Sequence, residues 1–513
     1  MKKRILSLVL ALCMTAALCA CGGGKSNTPK PANNPDGSAG VMVEGGEITV
    51  AIAADLDTSL DPHVSSSSAG TREVLFNIYE GLVKPDANGN LIPAVAEKYT
   101  VNETADQYTY TLRQGVRFHN GKTVTVGDVV YSLTRAAGLD TGEPLVADVK
   151  AIAKVEAVGD STVVVTLKAP DTEFNSHMTV AIVPEGSDPA ADVTGTGPFR
   201  FVSRTPQVDI VLEKFGDYWG TPAHLDKVTL KVISDPQTLV MSLKSGAADM
   251  GEHLSASQVA ELEGVNILEG SSNIVQALYL NNAFAPFSDV RVRQALCYAV
   301  DKHALIDLAA DGHGAPVGSS MFPAFGKYFM PELTDYYKPD AEKAKQLLKE
   351  AGYENLKFTI TVPSNMPAHV DAAQVLVDQL AKAGITAVIN QVEWATWLKE
   401  TYQGRQFEST VVGMDAHGLA ASDMLARFES SSGKNFINFS DPEYDETFAK
   451  AMSTVDEAKQ TELFKRCETI LTEKAANVYL QDSASFTALQ KGVAGYQFYP
   501  LYVMDLAALY RVG

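Results

Sequence analysis

Between Asp289 and Val392 the chain alternates helix signals with strand signals, and this constrains its fold more than any other feature. Asp289 can cap a helix running to about Ala309. Asp340 can cap another, whose Ala341, Ala344, Leu347, Leu348 and Ala351 share one face, with Gly352 just past its end. Lys357 to Val362 then reads as a strand, Ala372 to Ala383 as a helix closed by Gly384, and Ile385 to Val392 as a strand. Apolar stripes of the two periods must bury against one another, so the expectation is an α/β domain. Upstream, Glu47 to Ala54 alternates as a strand, Thr71 to Leu82 has helical spacing, and Gln107 to Arg113 reads as a half-buried strand. Thr125 and Asp128 have the spacing of a capping box ahead of a helix from Val126 to Ala137.

The chain has 513 residues, which at roughly 100–200 per domain predicts about two to four domains. Its 42 Lys and Arg stand against 62 Asp and Glu, a net charge of −20, which disfavours nucleic acid and other polyanions as partners. Met1-Lys2-Lys3-Arg4 places positive charge ahead of an apolar run from Ile5 to Leu18, and Leu18-Cys19-Ala20-Cys21 follows. This reads as a lipoprotein signal peptide, residues 1–20, with Cys21 as the lipidated N-terminus of the mature protein. One acyl chain anchors only marginally and two or more hold, so the expectation is an extracytoplasmic body tied to the cell membrane by its lipid alone. The apolar run is shorter than the roughly 20 residues of a membrane span. Residues 21–45, rich in Gly, Ser, Pro and Asn, read as a flexible tether. Cys297 and Cys467 lie in helical segments and read as small core residues rather than a disulfide framework.

Catalytic constellations are missing from the sequence. It has no Gly-x-Ser-x-Gly elbow and no His-Glu-x-x-His. Gly115 to Thr123 superficially resembles a phosphate loop, but five residues separate its glycines where the cradle needs four. The nine histidines are scattered. No enzyme activity and no cofactor are expected.

Several segments together carry a resemblance. They are Val74-Leu75-Phe76-Asn77-Ile78-Tyr79-Glu80-Gly81-Leu82-Val83, Ile92 to Glu97, Tyr110 to Lys122 and Asp128 to Leu133, then Gly195-Thr196-Gly197-Pro198-Phe199 and Asp217-Tyr218-Trp219-Gly220. Ser245 to Asp249, Ser288 to Leu296 and Ala299 to Lys302 continue the series. In order and spacing the chain resembles the peptide/nickel class, family 5, of extracellular solute-binding proteins of ABC transporters. The resemblance implies a two-lobed periplasmic-binding-protein-like clamp of three structural domains, cluster C type, with the ligand between the lobes. By that analogy residues 46–77, 194–290 and 479–513 form lobe I, residues 78–193 a domain II inserted in it, and residues 291–478 lobe II, domain III. Ligand bridging both faces favours the closed clamp, which a membrane permease then engages. The expected partners are a peptide or small-molecule ligand and an ABC permease, with the receptor itself a monomer.

In peptide-binding members a stretch like Gly-Trp-x-x-Asp supplies a carboxylate to the peptide's α-ammonium. The corresponding stretch here is Gly413-Met414-Asp415-Ala416-His417. Met414 stands where the aromatic is expected and His417 where the acid is expected. Asp415 and Asp423 are the alternative carboxylates, and Ser422 lies near the position of a histidine in some nickel-binding relatives. His63 and His177 are further candidates for the cleft. The favoured expectation is a receptor that delivers oligopeptides to an ABC importer; the alternative is nickel or another chelated metal as cargo, with His417 as its ligand. A surface hydrolase would need a convergent nucleophile and base, and an adhesive lipoprotein would need repeats or a long stalk; the sequence has neither.

Overall fold

The computed structural model describes residues 32–33, 39–64, 68–416 and 418–513. The signal segment, Cys21 and His417 lie outside the described residues. The molecule is built on a twelve-stranded sheet. Ten of its strands form one path: β1 (Glu47–Ile52), β2 (Phe199–Thr205), β3 (Asp209–Lys214), β4 (Lys227–Val232), β5 (Met250–Leu254), β6 (Ile274–Leu280), β7 (Lys357–Pro363), β8 (Thr386–Val392), β9 (Ser409–Asp415) and β10 (Asn477–Leu489). Their spatial order is β2-β3-β4-β1-β5-β10-β6-β9-β7-β8. The thirteen-residue β10 lies at the centre. It pairs antiparallel with β5 on one side and β6 on the other, and so belongs to both halves of the sheet.

Each half has its own core. Ile48 and Val50 of β1 pack with Leu212 and Leu230 in the first. In the second, β6 is buried on both faces: Val275, Ala277 and Tyr279 enter one core, Leu278 and Leu280 another. A strand covered on both sides needs an almost unbroken apolar sequence, which Val-Gln-Ala-Leu-Tyr-Leu supplies. Each fully buried leucine contributes about 1.5–3 kcal/mol. β6 pairs with β9 along seven residues on one edge and with β10 on the other, and so joins the C-terminal segment to the strands of the second half. Cys297 and Cys467 are buried as free thiols in two different cores.

The inserted region carries a separate four-stranded sheet formed by Ala96–Val101, Gln107–Leu112, Ile152–Val158 and Thr162–Leu167. The helix Val126–Ala137 packs on it through Val129 and Leu133. Its capping box is formed as expected, with the Asp128 amide donating to the Thr125 hydroxyl and the Asp128 carboxylate accepting from the Thr125 amide at 2.7 Å. Gly115 to Thr123 is a turn bridged by Arg117 and Thr123.

Two helices differ from expectation. The one predicted over 71–82 is α1 (Ala69–Leu75). Asn77 ends it, its side-chain amide donating to the carbonyls of Glu73 and Met504 while its side-chain oxygen accepts from the Leu506 amide. That competition for backbone groups stops the turn from propagating. The helix predicted from Asp289 to Ala309 is two, α2 (Val290–Ala299) and α3 (Lys302–Ala309). Asp301 caps the second and exchanges two hydrogen bonds with the Gln379 side chain, which fixes the break.

Candidate functional site

Where the two lobes and the inserted domain converge, a cavity of about 220 Å³ is bordered by Arg72, Tyr79, His177, Ala181, Gly418 and Tyr502. α1 positions the first of these. Its N-terminus is fixed by Ser68, whose hydroxyl accepts from the Thr71 amide at 3.2 Å. Its apolar face, Val74 and Leu75, is buried in the first lobe. Arg72 points the other way, its guanidinium 4.5 Å over the Tyr502 ring and its Nη2 3.7 Å from Asp415 Oδ2. Asp415 is the last residue of β9, so the pair spans the two lobes. The Tyr502 hydroxyl also hydrogen-bonds this carboxylate; burial first and Asp415 second push the phenol well above its ordinary pKa. Arg72 Nε and the Tyr79 hydroxyl are buried with no hydrogen-bond partner among the described residues.

A second inter-lobe contact lies on the inserted domain. The Glu173 carboxylate accepts from the Ala421 amide at 2.9 Å, the Ser422 amide at 3.0 Å and the Tyr328 hydroxyl at 3.0 Å. Burial raises its pKa against the pull of these donors. The Thr172 hydroxyl adds a bond to Gln460 at 2.7 Å. The clamp is therefore closed, held by polar contacts that water would compete for once it opened.

The residues singled out from sequence occupy different places. Asp415 and His177 border the cleft, the latter edge-on to Phe174. Ser422 contributes its backbone amide to Glu173, and Asp423 Oδ2 is buried without a partner among the described residues. Met414 is 8% exposed and packs into the second lobe, 3.8 Å from Arg427 Nη1 through its sulfur. His63 is fully buried, and both ring nitrogens are engaged, by the Ala181 carbonyl and by Arg135. Burial pushes its pKa down.

Arg72, Glu173 and Tyr502 were not singled out from sequence. Arg72 lies two residues ahead of the motif that begins at Val74, whereas Glu173 and Tyr502 lie outside every motif.

Behind Tyr502 the cavity adjoins a smaller recess, and the segment 501–503 borders both. Glu73, next to Arg72 on α1, faces the recess with Glu252 and His253 of β5. His253 Nε2 is 2.8 Å from Glu73 Oε1. Burial pushes the Glu252 carboxyl up to about 7, with the Glu73 charge adding to the effect. The His253 side chain is 57% exposed, and the carboxylates of Glu73 and Glu252 beside it hold the imidazole above its usual range.

The motif residues that carried the resemblance are mostly structural. Glu80 is buried at the root of the inserted domain and accepts from Tyr218 and Trp219 at 2.7 Å each, Lys84 at 3.0 Å and Thr196 at 3.2 Å. A Cβ on Gly195 would lie 2.0 Å from the Ile78 carbonyl, so the backbones there approach too closely for any side chain. Arg293, also buried, donates to the carbonyls of Phe287, Lys474 and Ala475.

Comparison with known proteins agrees with this architecture. Residues 90–436 match the family described as bacterial extracellular solute-binding proteins, family 5 Middle. The glutathione-binding protein GsiB of Pectobacterium atrosepticum is 30% identical over 476 residues, covering 86% of this chain and 90% of that protein. The heme-binding protein A of Haemophilus influenzae is 28% identical over 464 residues, 82% of this chain and 84% of the relative. Among solved structures, the periplasmic binding protein DppA of Helicobacter pylori in complex with the peptide STSA superposes with a TM-score of 0.76 at 25% identity, covering 92% of this chain and 99% of that one. All three are named as binding proteins, and DppA as one associated with an ABC transporter. The chain belongs to the family 5 extracellular solute-binding proteins, the substrate-binding components of ABC transporters.

Proposed function

We propose that this protein is a receptor, lipid-anchored through Cys21 on the outer side of the cell membrane, that captures peptides in its inter-lobe cleft and delivers them to an ABC importer. The observation that carries the peptide reading is the Arg72–Asp415 pair. A cation from one lobe faces an anion from the other at 3.7 Å, and the Arg72 Nε beside them is a buried donor without a partner among the described residues. A zwitterion complements such a pair: its ammonium takes Asp415 and its carboxylate takes the guanidinium fork. Main-chain groups of the cargo then fill the space between, as in other extended-peptide receptors. Ligand pockets commonly measure roughly 300–1,000 Å³, and a cavity of about 220 Å³ in the closed clamp therefore favours short peptides of about two or three residues. The glutathione-binding name of the P. atrosepticum relative agrees with a tripeptide-sized cargo.

Calorimetric titration with dipeptides and tripeptides tests the reading, using N-acetylated and C-amidated versions as controls. Binding is expected for the free peptides and is expected to weaken when either end is blocked. Equal affinity for blocked and free peptides would overturn it. The second cargo class expected from sequence, a nickel or other metal chelate held by His417, rests on a residue outside the described structure.

A further inference from the structure

We propose that Glu73, Glu252 and His253 form a binding site for a divalent transition-metal ion, opening into the recess behind Tyr502. One ligand atom from each residue lies within 4.8 Å of the others. An ion with bonds of about 2.0–2.2 Å to nitrogen and oxygen would draw the three together by side-chain adjustments of less than an ångström.

The observation that points to a ligand is on Glu252. This residue is 6% exposed; the Tyr496 hydroxyl hydrogen-bonds its carboxyl group, and its Oε2 is buried with no hydrogen-bond partner among the described residues. A buried carboxylate oxygen left unpaired is costly unless a cation or donor completes it. Among the described residues the recess is lined by two carboxylates and no lysine or arginine. Among the described residues His253 is the sole group in that lining that can carry positive charge, and it already spends Nε2 on Glu73.

Local backbone geometry aims the imidazole. The pairing of β5 with β10 slips between Gly251 and Leu254, and His253 in that slip has φ of 54°. A bulge of this kind turns a side chain out of the regular alternation. Here it brings His253 to the carboxylate of α1, 180 positions away in sequence. On metal binding the imidazole would release its proton to solvent and offer its lone pair in place of the hydrogen bond to Glu73.

The donor set selects among cations. One imidazole and two carboxylates suit zinc, nickel or cobalt, and are too few oxygens for calcium. An ammonium group from a cargo is a weaker match, because a protonated imidazole would repel it and a neutral one adds only a single acceptor. All three ligands belong to the first lobe, so the ion binds whether or not the clamp is closed. Its open side faces Ala416 of the second lobe, where water or an anionic group of the cargo completes the coordination. The site is independent of the peptide reading.

The test uses tag-free protein stripped with a chelator and titrated with Zn2+, Ni2+ or Mg2+, followed by calorimetry and thermal unfolding. One equivalent of Zn2+ or Ni2+ per chain is expected to bind and raise the melting temperature, with no saturable response to Mg2+. His253→Asn and Glu252→Gln are each expected to lower the affinity by at least the roughly 10–100-fold that losing even an outer-shell partner costs. Asparagine tolerates the left-handed backbone but removes the hydrogen bond to Glu73, so the metal-free His253→Asn protein should melt somewhat below the wild type, and its metal affinity is read at a temperature where both are folded. Copper substitution gives a second readout: nitrogen hyperfine structure in the Cu2+ spectrum should vanish in His253→Asn. Absence of saturable metal binding would overturn the proposal, as would stoichiometric binding that neither variant changes. Loss of lysine-containing peptides in Glu252→Gln without any metal response would replace the metal site with an ammonium pocket.

Discussion

The carboxylate of Glu173 in the inserted domain receives the backbone amide of Ser422 from the opposite lobe at 3.0 Å. The two residues are 249 positions apart, and their contact exists only while the clamp is shut. Arg72 and Asp415 make the second such contact beside it. The closed form is thus held partly by the protein itself, and cargo adds its own differential affinity to that bias.

Replacing Glu173 by Gln removes the charge that strengthens the bonds to Ala421 and Ser422. A hydrogen bond to a charged group contributes about 1.5–3 kcal/mol, so cargo affinity should fall roughly tenfold or more, since about 1.4 kcal/mol is a factor of ten. Small-angle scattering of the ligand-free variant should show a more open particle. Unchanged scattering together with unchanged affinity would mean that the contact does not bias closure.

Asp415→Asn and Arg72→Gln divide the two ends of the cargo. Removing one partner of a buried, hydrogen-bonded charge pair costs about 2–5 kcal/mol. Asp415→Asn should therefore weaken peptides with free N-termini by on the order of 30-fold, and should leave N-acetylated peptides almost unaffected. Arg72→Gln should do the same for free and amidated C-termini. Isothermal titration of the four peptide forms against both variants provides the comparison.

Stability should fall as the solution becomes alkaline. Glu468 is fully buried, accepts from the Ser319 hydroxyl at 2.5 Å and leaves Oε1 unpartnered among the described residues. Burial pushes its carboxyl from 4.5 up to about 8. The folded state thus holds this proton more tightly than the unfolded chain. Its contribution is complete below about 4.5 and is lost as pH rises through about 8, a change on the order of a few kcal/mol. Urea denaturation between about pH 6 and about pH 9 should show a steep loss in the wild type and a shallower one in Glu468→Gln. Parallel curves would exclude Glu468 as the source.

Cys21→Ser should release the protein from cells into the medium or periplasm, with peptide affinity intact. Fractionation and immunoblotting give the answer, and continued retention in the membrane fraction would contradict the lipid anchor.

Much of the fold was legible because its signals are local. Thr125 with Asp128, Asp340 with Gly352 and the alternation in Lys357 to Val362 each act within a few residues. The misread helices were overruled from far away, by Met504 and Leu506 acting on Asn77 and by Gln379 acting on Asp301. The motifs were recognisable for a related reason: Glu80, Gly195 and Arg293 join distant segments of the scaffold and leave little freedom in residue type. They report the architecture and say little about cargo.

The cleft was less legible. Arg72, Glu173, Glu252 and His253 have ordinary neighbours in the sequence, and nothing in spacing marks them. The chain by itself determined the α/β scaffold and the two-lobed family, since periodicity and caps are written in short stretches and the motif residues keep their order and spacing. Which side chains meet was decided by the order of strands around β10 and by the slip at His253, because those set distances between residues that no local preference relates.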